Sequence, residues 1–211
     1  MISFLKITRK YEYKINTRPQ FYGHLIIKNN QMKKTILICG LIAGLISTSL
    51  FIGLMILGKA GDEDFKNGML YGYTLMILAF SLIFVGTKIT RDKYNGGEIS
   101  FGKAFRVGLY ITLIASTIYV IVWLIDYHFF NPDFAEKYGA HILEKLKASG
   151  ASQAEITKQT GEMVRFSEMY KNPLFNILMT YSEILPVGLI VSLISAGILK
   201  RKTATPKQAI N

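Results

Sequence analysis

The sequence predicts an all-α protein: a four-helix transmembrane bundle with an extramembrane helical hairpin between the third and fourth spans. Three observations carry the prediction. Half of the 211 residues are hydrophobic and only 18% are charged, with a mean hydropathy of +0.29. The charges collect between apolar blocks, whereas a soluble domain intersperses them along the chain. Four of those blocks reach the roughly 20 residues that a helix needs to cross a bilayer core of about 30 Å.

The first block runs from Thr35 to Leu57 and the second from Met69 to Thr87. The third covers Phe105 to Ile125 and the fourth Leu174 to Leu199. None holds Lys or Arg beyond its first residues. The single cysteine, Cys39, lies inside the first block, so the chain has neither a disulfide framework nor a cysteine metal cluster. A small buried apolar residue is the expectation there.

Net charge is +11, and its distribution argues against nucleic acid as the partner. The arm to Lys34 carries eight bases and one acid, and the connector Lys88–Arg106 five bases and two acids. The tail after Leu199 carries four bases and no acid. The connector 59–67 is net −1, and 127–173 balances six bases against six acids. Positive charge on alternate connectors places both termini and the 88–106 connector in the cytoplasm.

Residues 1–31 have no helical periodicity and no apolar run of spanning length. "MKKTILICGLIAGL" from Met32 reads like a fresh start, so the prefix is expected to be either an upstream extension or a basic cytoplasmic arm that touches anionic lipid. The same segment resembles a secretory signal with "GKA" as its cleavage site. Its apolar run of 23 residues exceeds the roughly 7–15 of a signal sequence, so an uncleaved anchor is expected. The membrane domain then covers 32–202, and 203–211 is a cytoplasmic tail.

Asp62, Glu63 and Asp64 form a short acidic connector, expected to be solvated rather than to hold a metal. In the next connector, "RDKYNGGEISFGKAF", Gly96-Gly97 lacks a nucleotide-binding pattern and makes a turn. Ser100 has the position of a helix N-cap. From there the segment is expected to form an elbow along the interface into the third span. Phe101 and Phe105 would face lipid, with Lys103 and Arg106 reaching head groups. At the outer end of that span, Trp123, Asp126, Tyr127 and His128 read as an aromatic belt with polar tips.

Residues 131–172 predict the hairpin. Asn131-Pro132 starts a helix whose apolar face is Phe134, Tyr138, Ile142 and Leu146, closed at Gly150. Ser152 and Glu155 form a capping box for a second helix carrying Ile156, Met163, Val164 and Phe166, which stops before Asn172-Pro173. His141 reads as a surface histidine. The hairpin is the best candidate for a partner surface.

"KYNGGEISFGKAFRVG", "YKNP" and "EILPVGLIVSLISAGILKRK" resemble domain-of-unknown-function family 4199, over about Thr35 to Lys202. The resemblance implies a small four-span protein of the inner membrane of Gram-negative bacteria. It implies no activity, since none is established for that family.

Each span carries small residues four apart: Gly40, Gly44 and Thr48; Gly68 and Gly72; Gly108, Thr112 and Ser116; Gly188, Ser192 and Ala196. Such faces let helix backbones approach in lipid, within one bundle or in a homo-oligomer. Glu183 is the costly residue, nine positions past Leu174 with no base at its depth. A carboxylate there is expected to face the bundle interior or a wet cavity, protonated or bonded to hydroxyls such as those of Tyr73 and Tyr119. Pro186 is expected to kink the helix beside it.

No nucleophile–base pair, metal cluster or nucleotide motif is visible, so no cofactor and no enzymatic activity are expected. The leading reading is an accessory or interaction protein whose partners are the lipid bilayer and a membrane protein or a second copy. The alternative is a small oligomeric transporter or channel centred on Glu183.

Overall fold

The structure, a computed structural model, describes residues 29–54, 56 and 65–201. The helices are α1 (Asn29–Leu54), α2 (Phe65–Tyr94), α3 (Phe101–Phe129), α4 (Phe134–Ala148), α5 (Gln153–Tyr170) and α6 (Pro173–Leu199). α1, Leu70–Tyr94 of α2, α3 and α6 are each long and apolar enough to cross a membrane. The chain is an all-α, four-span protein with a helical hairpin, α4–α5, between its third and fourth spans. The prefix through residue 28, the acidic triplet Asp62–Asp64 and the tail from residue 202 lie outside the described residues.

Several boundaries differ from the sequence reading, with α1 beginning at Asn29, inside the 1–31 prefix, and α3 running on to Phe129. α2 continues to Tyr94 and α3 begins at Phe101, because nothing between Lys88 and Tyr94 breaks a helix. The breakers are Gly96 and Gly97, which take φ of 67° and 83° as the predicted turn requires. Ser100 is the N-cap, accepting from the Lys103 amide at 3.4 Å. "FGKAF" is then the opening of one unbroken helix, not an elbow lying along the interface. With 29 residues, α3 is about 43 Å long at 1.5 Å per residue, more than the roughly 30 Å of a hydrocarbon core.

α3 is the central strut. It packs along α6 and α2, and α1 lies against its other flank. The small residues make these contacts close. A Cβ on Gly40 or Gly44 would stand 2.7 Å from Ile114 and 2.6 Å from Ile118, so these glycines seat side chains of α3 directly on the α1 backbone. Gly108 faces Ser192 in the same way, and Gly188 faces Thr112. Without a hydrophobic drive between helices in lipid, such packing and buried hydroxyls hold the bundle. Ser192 donates to the Gly188 carbonyl at 2.7 Å, which leaves Thr112 to donate to Ser192 at 3.2 Å. Gly72 has no neighbour within 4 Å and stays open. Cys39 is buried, as expected.

The hairpin follows its local signals, with one shifted start. α4 begins at Phe134 rather than Pro132 because Asn131 closes a turn onto α3: its amide donates to the Asp126 carbonyl at 2.9 Å. Gly150 takes φ of 78°, and the Ser152–Glu155 capping box forms, with contacts of 3.3 and 3.1 Å. The seam between α4 and α5 runs through Ala135 and Gly139, beside the predicted aromatic stripe. A Cβ on Gly139 would stand 3.2 Å from Met163. Val164, expected on the packed face, points outward, and His141 is half-buried.

Candidate functional site

The C-terminal end of α3, the N-terminal end of α6 and the last turn of α5 meet at Trp123. Its indole Nε1–H donates to two acceptors at 3.1 Å, the Tyr170 hydroxyl and Asn176 Oδ1. Thr180 donates to the Asn176 backbone carbonyl at 2.8 Å and reaches Oδ1 at 3.3 Å. Around this polar knot stand aromatic rings. Trp123 meets Phe134 edge-on at 4.7 Å and Phe51 at 5.3 Å, and Tyr170 meets Tyr127 at 5.4 Å. Phe51, Trp123, Phe134 and Tyr170 belong to four different helices, so the knot fastens the hairpin to the bundle. Burial pushes the Tyr170 hydroxyl up to about 12, with the Trp123 contact opposing the rise.

This corrects the reading of Trp123 and Asp126 as an exposed interfacial belt. Both are buried, at 5% and 2% exposure, because the hairpin covers the end of α3. His128 and Phe129 keep the exposed position. Asp126 Oδ2 and Asn176 Nδ2 are buried without a hydrogen-bond partner. Sequence reasoning passed over Tyr170 and Asn176. Their separations from Trp123 are 47 and 53 residues, and no local spacing marks such a pair.

Glu183 stands differently from its expectation. Thr180, Ile184 and Gly188 form the buried stripe of α6, and Glu183 lies at its flank as an exposed residue. Its carboxylate is close enough to act electrostatically on Tyr119 and Tyr170. Tyr119 is buried at 4% exposure, whereas Tyr73 is 42% exposed. The acid opens outward rather than into the bundle. Pro186 is exposed too, and α6 continues through it.

At the other end of the bundle, where α2 gives way to α3, the predicted connector residues lie close together. Asn95 accepts from Lys103 Nζ at 2.6 Å and donates to the Glu98 carbonyl. Phe101 and Phe105 stack with planes 2° apart, and Arg106 donates to the Gly102 carbonyl at 3.3 Å. Among the described residues, no group of three or more His, Cys, Asp or Glu side chains is placed to hold a metal ion.

Four apolar spanning helices around a shared core, capped by a fastened hairpin, define a multi-pass helical membrane protein. Residues 38–201 match the family described as "Protein of unknown function (DUF4199)", and the chain belongs to that family. The match covers every described helix from the middle of α1 to the end of α6. No curated protein and no solved structure matches the chain.

Proposed function

We propose that this chain is a non-enzymatic accessory protein of the bacterial inner membrane, with both termini cytoplasmic, that presents the α4–α5 hairpin to another membrane protein. One observation carries the reading. Between α4 and α5 lies an open groove of about 360 Å³, lined by apolar side chains including Ala140, Leu143 and Met163, with Glu136 and Glu168 among its lining. A helix or loop seated there would meet a surface braced by the Trp123 knot and so lose little ordering entropy on its behalf. The cytoplasmic assignment of the termini follows from the positive charge at the end where α1 begins and α6 ends.

The test is affinity copurification after in-cell crosslinking, comparing the native chain with Ala140→Arg and Val164→Arg. Both residues are exposed, so the variants are expected to fold. A stoichiometric partner lost in both variants supports the reading; a partner retained by both, or none at all, overturns it.

A second reading, a small oligomeric transporter or channel, has the exposed carboxylate of Glu183 in its favour. An acid on a lipid-facing flank is costly, and a second copy would cover it. Proton-dependent flux in reconstituted vesicles that disappears in Glu183→Gln would favour transport.

A further inference from the structure

The inner end of the bundle is closed by a clasp. Ile99 and Arg201 exchange two backbone hydrogen bonds, Ile99 N–H to Arg201 O at 3.2 Å and Arg201 N–H to Ile99 O at 2.9 Å. Ile99 is buried at 1% exposure and packs with Ala104 and Ala196, which fixes the end of α6 against the start of α3. Thr35 and Tyr94 hydrogen-bond at 3.1 Å and bring the start of α1 to the same end. Separate basic segments of the chain are thereby drawn together. Among the described residues this end carries nine Lys and Arg against only Asp92 and Glu98.

Asp92 is already engaged, held by Arg91 in a two-point contact at 2.7 and 3.2 Å. Lys88 and Arg201 stand close enough to act on its charge, yet neither forms an ion pair among the described residues. Both are exposed. Nearby, Phe101 is 43% exposed and stacked on Phe105.

We propose that this clasp binds the phosphodiester headgroup of an anionic phospholipid. Lys88 and Arg201 would contact the phosphate, and an acyl chain would lie along Phe101. The charge is complementary, and Lys88 and Arg201 are not neutralised by an ion pair among the described residues. α2 and α3 are longer than the hydrocarbon core is thick, so helices of this length can bring the clasp to headgroup depth. Exposed Phe101, stacked on the partly buried Phe105, supplies the apolar half that a soluble phosphate ester would not use.

The experiment titrates the full chain, in a neutral phosphate-free detergent, with phosphatidylglycerol or with phosphatidylcholine. Thermal unfolding and native mass spectrometry of retained lipid are both read. A ligand that binds only the folded state raises its apparent stability with concentration. Phosphatidylglycerol is expected to raise the midpoint and to stay bound, and phosphatidylcholine to do neither. Lys88→Gln/Arg201→Gln should weaken binding by about tenfold, while Arg201→Lys stays near the parent. The side-chain changes leave the Ile99–Arg201 backbone pair in place, and single Lys88→Gln repeats the test should the double variant not fold. Equal response to phosphatidylcholine, or parental affinity in the neutralised variants, overturns the proposal. An equal response to sn-glycerol 3-phosphate would identify a soluble phosphate-ester site instead and overturn the lipid assignment.

Discussion

The Trp123 knot makes a demanding prediction, because its donor has two acceptors. Tyr170→Phe removes one of them and keeps the ring contacts with Phe134, Phe166 and Phe175. The indole N–H still has Asn176, so the cost is about 0.5–1.5 kcal/mol. Asn176→Ala removes the other acceptor and leaves a small cavity, but it also removes the unpartnered Nδ2. That change costs about 1–2 kcal/mol, the cavity and the relieved amide partly offsetting. Only the double variant orphans a buried donor, which adds about 1–3 kcal/mol beyond the sum of the two singles. The chain has a single tryptophan, so unfolding in mixed micelles followed by fluorescence reports on this site directly. Additivity within about 0.5 kcal/mol would refute the shared-donor account.

The Tyr170 phenol sits at about 12 when folded and near 10 when unfolded. Its contribution is full below pH ~10 and falls as pH rises through the folded value, by up to about 2–3 kcal/mol; the difference between parent and Tyr170→Phe under alkaline unfolding isolates it. Gly188→Ala drives a methyl into Thr112 and Phe80 and should cost about 1–3 kcal/mol, whereas Gly72→Ala, with nothing near it, should change stability by less than about 0.5 kcal/mol. Ser152→Ala breaks the capping box and should lower hairpin stability by about 1 kcal/mol, seen as faster amide exchange confined to the first turn of α5.

Signals written locally were legible in the sequence. The four spans, the Gly96-Gly97 turn, the Ser100 N-cap, the Gly150 stop and the Ser152–Glu155 box each depend on residues a few positions apart. The helix ends at Tyr94 and Phe101 are not legible from hydropathy, because apolar content marks where lipid begins, not where a helix stops. Hydrogen bonding continues until a glycine or cap intervenes. The Trp123 knot was not legible, since Tyr170 and Asn176 come from other helices and only tertiary packing chooses them. Glu183 shows the opposite limit. Its cost was readable from the sequence, but the side of α6 on which it falls was not. Among residues flanking an apolar stripe, a rotation of one position decides between interior and surface.

The pairing of α3 with α6 has a consequence for how the protein is made. α3 is complete at Phe129, and α6 ends 70 residues later at Leu199. At typical synthesis rates that interval is on the order of ten seconds. Through it Thr112, buried in the finished fold, waits without α6, and Trp123 waits without Asn176. The newborn chain therefore passes through a three-span stage whose polar seam faces lipid, the insertion machinery or a chaperone. Only the arrival of the last helix, sealed by Arg201 against Ile99, ends that exposure.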